Sequence, residues 1–298
     1  MNKETNDMKT GGVIGLGGIG GGVAQCLQRA GQLAAIYDVR AEAAANVPSA
    51  PAMSATPRAL AEASDCVLIA VLNGAQTIAV LSGPDGVLAA NKPGQMVILL
   101  STISMNDLAT AQKLCADAGV TFLDCGVTGG PKSATNGLIC LVGGSEADIA
   151  AAKPIFDGFA GSILHMGGPG AGMAAKIARN TTYFGCMRAG YEGAVIARNY
   201  GVSLDQLTMA LAGDPESGGG LAGALAMVKR PDPAGDPAET KVREYFRMLM
   251  LKDLDVAIAE AARFGARLPM VEMIRDNANS TSGLEYPLGQ PLLAGETA

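Results

Sequence analysis

A lysine capable of proton transfer, Lys176, and a hydrogen-bonding amide, Asn180, stand four residues apart in the segment "GPGAGMAAKIARNTTYFGCM" (168–187). A helix stacks residues at that spacing on one face, and their neighbours here are mostly Ala, Ile and Met. A lysine desolvated by apolar neighbours loses charge stability, so its pKa falls toward the range where it exchanges a proton with a substrate hydroxyl. Asn180, one turn on, can donate and accept hydrogen bonds to the same molecule. The other reading is a lysine snorkelling at a helix rim with Asn180 exposed, and this segment alone favours it.

A second cluster lies in "DCGVTGGPKSATNG" (124–137), which follows an apolar run at Thr121–Leu123 and sets Thr128, Gly129 and Gly130 in a row. Consecutive N–H groups near glycines form an anion-binding nest, and a hydroxyl beside them can bond a carboxylate. An ordinary turn before "LICLV" explains the same residues equally well. A third cluster is "VIGLGGIGGG" (13–22), where Gly15, Gly17 and Gly20 form GxGxxG with Leu16, Gly18 and Ile19 between them. Standing after a strand and before a helix, it fits the turn that brings backbone N–H groups and a helix N-terminus to a pyrophosphate. A second strand, "LAAIYD", ends at Asp38, 18 residues after Gly20, where a ribose-binding acid is expected. Such an acid repels a 2′-phosphate and points to NAD, while Arg40 beside it could bind that phosphate and keeps NADP open.

These clusters need a scaffold, and 298 residues suffice for two domains. The net charge of −6, with no run of Lys or Arg longer than two, argues against nucleic-acid or anionic-membrane binding. The polar N-terminus and the lack of a long apolar run support neither secretion nor membrane spanning. Six cysteines without a CxxC pair read as reduced thiols of a cytoplasmic protein. A single histidine, His165, argues against a His-based triad or a multi-histidine metal site, and no metal is expected.

From Gly12 to about His165, short apolar runs alternate with Ala-rich helical stretches. This predicts an α/β fold with a Rossmann-type doubly wound parallel sheet. Strands are expected at 13–14, 34–37, 66–72, 96–100, 121–123, 138–142 and 163–165. After Gly172 strand patterns vanish, and a long bridging helix over roughly 171–200 leads into an all-α C-terminal domain. The expected division is 1–169 for the dinucleotide and 170–298 for substrate and oligomerisation. Tyr183, Phe184, Met187 and Tyr191 read as core and subunit contacts, and the apolar helical domain suggests a homodimer or homotetramer.

Taken in order and at their distances, "GLGGIG", "DCGVTGGPKSATNG", "GPGAGMAAKIARN" and "LKDLDVAIA" (251–259) resemble the four signature regions of the β-hydroxyacid dehydrogenase family. That family includes 3-hydroxyisobutyrate, tartronate semialdehyde, threonate and hydroxymethylglutarate dehydrogenases. The resemblance implies NAD(P)-dependent oxidation of a small 3-hydroxy carboxylic acid. In it Lys176 is the general acid/base and Asn180 orients the substrate, while Thr128, Gly129 and Gly130 hold the substrate carboxylate and hydroxyl. It also implies that Val71, Leu72, Asn73, Ser101 and Thr102 line the cofactor cleft at strand ends, that Lys252 approaches the cofactor, and that Asp253 is structural. Substrate specificity would come from "GDPESGGGLAGALAM" (213–227) and Lys241–Phe246, where Lys241, Arg243 or Arg247 either meet a second anionic group or serve as surface charge. Imine reductases share the fold but generally lack the lysine, and a non-catalytic dinucleotide-binding module is a third reading. Thr128 stands where the family usually has Ser, and "DCG" where "DAP" is usual, which leaves the chemistry intact and the substrate open.

Overall fold

A computed structural model describes residues 10–212, 236–263 and 265–285. The chain divides between Asn180 and Thr181 into two compact units. The first unit carries a seven-stranded sheet of β1 (Gly11–Ile14), β2 (Leu33–Tyr37), β3 (Cys66–Ile69), β4 (Met96–Leu99), β5 (Thr121–Thr128), β6 (Leu138–Gly143) and β7 (Ala160–Gly167). The strand order is β2-β1-β3-β4-β5-β6-β7.

Between the strands run helices α1 (Gly18–Arg29), α2 (Pro57–Ala63), α3 (Gly74–Leu81), α4 (Met105–Asp117) and α5 (Glu146–Asp157). Each starts where its sequence supplies a cap or a pre-set turn. Thr56, Asn73, Ser104 and Ser145 each accept an N–H from three residues on, which satisfies a first-turn donor that has no intrahelical partner.

The parallel strands β1, β3 and β4 at the centre of the sheet are buried on both faces, as a parallel sheet requires, while β7 at the edge is mostly exposed. Strand residues alternate between two cores. Val13, Leu68 and Ile98 pack with α1 and α5 through Leu27, Ile155 and Phe156. Ile14, Ile69 and Leu99 pack with α2, α3 and α4 through Leu60, Leu81 and Leu108. Five of the six cysteines are buried, and burial pushes the Cys115 thiol up to about 12, the behaviour of a small core residue rather than a reactive one.

All seven expected strands are present, with three corrections. The sheet is not wholly parallel, because β5 and β6 pair antiparallel while β6 and β7 run parallel to each other. The strand expected at 66–72 stops at Ile69. The segment Asp124–Thr128, read as following a strand, is the second half of β5. His165 lies inside β7, its Nε2 within 3.0 Å of Gly144 O and 2.9 Å of Gly167 O.

The long helix α6 (Ala171–Asn199) begins in the first unit, and α7 (Leu204–Ala212), α8 (Pro237–Arg263), α9 (Pro269–Asp276) and α10 (Ala278–Thr281) follow it. Among the described residues no helix is long and apolar enough to cross a membrane. In the second unit, Glu192 is buried and accepts the N–H groups of Met270 and Val271 at the start of α9. Arg243 is a correction, since it is neither surface charge nor available to a ligand. It is fully buried, pairing with Glu239 at 3.0 Å and donating to Gly283 O at 2.8 Å. Within the single chain Tyr183 is 39% exposed; the side chains of Phe184, Met187 and Tyr191 lie outside the described residues.

At the start of α6 the packing is backbone on backbone. A Cβ on Gly172 would lie 2.4 Å from Leu141 O and 2.6 Å from Asp124 O, and main-chain atoms in a sheet cannot yield. Gly172→Ala is therefore expected to lose about 3 kcal/mol in urea unfolding. Gly168→Ala, four residues earlier with nothing within 4 Å of its Cβ, should stay within about 0.5 kcal/mol of the parent.

Candidate functional site

The first unit holds two polar constellations. One lies at the C-terminal ends of β1 and β3, where the chain reverses its direction of winding, the usual place for a ligand in such sheets. The glycines around it divide by what confines them. Gly15 has φ +88° and a Cβ there would lie 2.5 Å from Ala70 O, while a Cβ on Gly20 would lie 1.8 Å from Gly15 O. These two are required by the fold itself. Gly17 and Gly18 have nothing within 4 Å of a Cβ, so their absent side chains leave open space at the mouth of α1. The N-cap Gly17 offers no side chain to the first-turn N–H groups, which leaves them for a ligand.

That space continues into a cavity of about 610 Å³ lined by Gly15, Gly17, Gly18, Ile19, Asp38, Arg40, Val71 and Leu72. Its apolar side comes from α3, where Ala79 and Val80 face it. Asp38 is turned inward, with its side chain 7% exposed. Its Oδ2 accepts the Leu16 N–H at 2.8 Å, and its Oδ1 accepts the Arg40 N–H at 2.9 Å and Arg40 Nε at 3.2 Å. Burial pushes this carboxyl up, but the bonds from Arg40 and Leu16 outweigh it and hold it below the usual carboxylate value. Leu16 and Gly20 are buried parts of the turn. Of the other sequence-named residues, Asn73 caps α3 by accepting the Gln76 N–H, and Ser101 donates to Val71 O at 2.7 Å, tying the ends of β4 and β3 together. Thr102 is exposed and, like Asn73, does not line this cavity.

The second constellation is at the end of β5. Lys176 Nζ donates to Val127 O at 2.6 Å, one residue before Thr128, which is half-buried at the strand terminus. Burial, then the nearby Arg179 charge, pull the Lys176 pKa below its ordinary value. The close approach depends on Gly126, because a Cβ there would sit 2.3 Å from Lys176 Cβ. After Thr128 the chain turns through Gly129 and Gly130 at φ +118° and +44°, left-handed values that suit glycine. Asn180 is half-buried and its Oδ1 accepts from Arg179 Nη1 at 3.2 Å.

Sequence reasoning missed the group that holds this arrangement. Asp124, fully buried in β5, accepts the Gly170 N–H through Oδ1 and the Met173 N–H through Oδ2, both at 2.7 Å. The signal was an acid inside the apolar run "TFLDCGV", a place where a charge survives only with partners. In the second unit Lys252 and Asp253 belong to α8, and their side chains lie outside the described residues, as does all of 213–227. Lys241 is exposed, and Arg247 donates to Asn279 Oδ1 at 2.5 Å. Among the described residues no group of His, Cys, Asp and Glu could hold a metal ion.

Residues 10–168 match the NAD-binding domain of 6-phosphogluconate dehydrogenase, and 170–284 match the NAD-binding region of NADP-dependent 3-hydroxyisobutyrate dehydrogenase. A Mycobacterium bovis protein named as a probable 3-hydroxyisobutyrate dehydrogenase is 31% identical, over 88% of this chain and 89% of its own. The solved structure of Mycobacterium tuberculosis 3-hydroxyisobutyrate dehydrogenase with L-serine is 27% identical, with a TM-score of 0.64 covering 92% of this chain and 93% of that one. An imine reductase from Pseudomonas sp. superposes with a TM-score of 0.72 over 93% of this chain and 95% of its own, at 21% identity, and shares the fold.

The open space at Gly17 has a direct consequence. Gly17→Ala should fold with unchanged stability, and its added methyl should weaken NAD binding by about tenfold or more by intruding on the pyrophosphate; urea unfolding checks the first and calorimetric titration of NAD the second.

Proposed function

The chain belongs to the β-hydroxyacid dehydrogenase family of NAD(P)-dependent oxidoreductases, and from that membership we propose that it oxidises a small 3-hydroxy carboxylic acid to the 3-oxo acid or semialdehyde, with NAD preferred. The observation that carries this reading is the partly desolvated Lys176, bonded to Val127 O beside the turn of Thr128, Gly129 and Gly130. Gly17 and Gly18 would hold the dinucleotide pyrophosphate, and Asp38 would bond the adenosine ribose. When bound, the nicotinamide supplies the hydride acceptor.

The remaining work falls to this chain's own residues. Thr128 Oγ1 and the N–H groups of Gly129 and Gly130 bind the carboxylate. Asn180 holds the substrate hydroxyl, and neutral Lys176 takes its proton as the carbon gives up hydride. The Val127 carbonyl engages one N–H of Lys176, which steers the amine's lone pair toward the hydroxyl. In reverse, the protonated lysine returns the proton to the carbonyl oxygen. A homodimer or homotetramer that covers the exposed Met209, Leu211, Tyr245 and Met248 of the helical unit is part of the same reading.

NAD preference rests on Asp38, and Arg40 works against it. The Arg40 guanidinium is 57% exposed at the cavity rim, within reach of a 2′-phosphate. Arg40→Ala is expected to raise the NAD-to-NADP ratio of kcat/KM by about tenfold, the worth of one charge-assisted hydrogen bond; an unchanged ratio means Arg40 does not meet the phosphate.

Initial rates of NAD and NADP reduction with a panel of 3-hydroxyisobutyrate, glycerate, threonate, serine and 2-(hydroxymethyl)glutarate test the reaction. Turnover of at least one acid is expected, with Lys176→Ala losing about 10²- to 10⁴-fold in kcat, the usual contribution of general acid–base catalysis, while still binding NAD. Activity confined to NAD(P)H-dependent reduction of cyclic imines would place the chain with the imine reductases instead.

A further inference from the structure

The two constellations are joined by a short piece of chain that neither of them uses. From Gly130 runs the 3₁₀ segment Gly130–Thr135, and it lies against α1, the helix whose first turn forms the dinucleotide cradle. Ser133, 2% exposed, donates its hydroxyl to the carbonyl of Gly18 at 2.8 Å. Its own carbonyl accepts Cys26 Sγ at 3.1 Å, and Arg29 Nη2 donates to Ala134 O at 2.7 Å. The Asn136 N–H closes the set on Cys26 Sγ at 3.4 Å.

The fit is tight because α1 presents a glycine at the contact. A Cβ on Gly22 would lie 2.2 Å from Ser133 Oγ and 2.7 Å from Ala134 N. A helix interior is less stable with Gly than with Ala, and here the gain is the close seating of this segment. Gly18 is half of the open space at the cradle, and its carbonyl faces away from the ligand side to meet Ser133. Immobilising the first turn of α1 therefore immobilises the segment that ends the Thr128–Gly130 turn.

We propose that Ser133 is a positioning residue that couples the two sites, so that a dinucleotide pyrophosphate on α1 orders the Thr128–Gly130 turn for the substrate carboxylate before the substrate arrives. The coupling is carried by the Ser133 hydroxyl and by the absence of a side chain at Gly22. It makes the two ligands bind cooperatively, and reciprocity requires the carboxylate to tighten the dinucleotide by the same factor. The role assigned to the turn rests on the proposed function. The physical link from α1 to the segment does not.

Hydrogen exchange by mass spectrometry, with ADP-ribose as the probe, separates the two. ADP-ribose carries the pyrophosphate and lacks the nicotinamide, so any effect on the turn has to pass through α1. In the wild type, saturating ADP-ribose is expected to slow exchange of amides 16–23, and of amides 129–137 by about fivefold or more. In Ser133→Ala, and independently in Gly22→Ala, the response at 16–23 should persist while that at 129–137 falls below about twofold. An unresponsive 129–137 in the wild type overturns the proposal, as does a wild-type response in both variants. Loss of protection at 16–23 in both variants also overturns it, since Ser133 would then be part of the cradle itself. If no hydroxy acid turns over and this exchange pattern is nevertheless seen, the proposed reaction fails and the coupling stands.

Discussion

A buried carboxylate in the middle of a strand fixes where the long helix begins, and the chemistry depends on that. Asp124 spends both oxygens on the N–H groups of Gly170 and Met173. Hydrogen bonds to a charged group contribute about 1.5–3 kcal/mol each, and a carboxylate at a helix N-terminus also meets the favourable end of the helix dipole. β5 and its neighbour β6 accept the helix through small residues, Gly126 of β5 beneath Lys176 and Gly143 of β6 beside Asp124. Lys176 is thereby carried five residues into α6 to meet Val127 O at the strand end. Burial there, then the Arg179 charge, lowers its pKa, so the property on which the proposed proton transfer relies follows chiefly from packing.

The dinucleotide side is organised on a different principle. Gly15 and Gly20 are demanded by main chain crossing main chain, whereas Gly17 and Gly18 are demanded by nothing in the protein. Positions that the fold leaves open are the ones a ligand fills. Asp38 does two things at once, bracing the turn through Leu16 and restraining Arg40 at the cavity rim.

Much of this was legible in the sequence because it is local. Apolar runs bounded by Gly, Pro or Asp located every strand, and the GxGxxG–Asp38 spacing located the cavity. The four-residue spacing placed Lys176 and Asn180 in one helix. What was not legible depends on partners far along the chain. The run "LICLV" reads the same in either direction, so the reversal of β6 against β5 left no mark on its pattern. Asp124 looks like an acid at a strand end until Gly170 and Met173, 46 and 49 residues later, are brought to it. Arg243 looks like surface charge until the carbonyl of Gly283 is folded over it. Ser133 looks like turn filler, and only the missing Cβ of Gly22, 111 residues earlier, explains its burial.

The most direct measurement is the titration of Lys176 itself. Lysine Cε shifts can be followed by heteronuclear NMR in the folded protein, with the Lys176 signal identified by its loss in Lys176→Ala. A midpoint clearly below the ordinary lysine value of about 10.4 is expected, since burial against Val127 and the Arg179 charge both disfavour the ammonium. A midpoint at or above that value would mean that Lys176 is a solvated rim lysine, and the proton-transfer role would have to pass to another group.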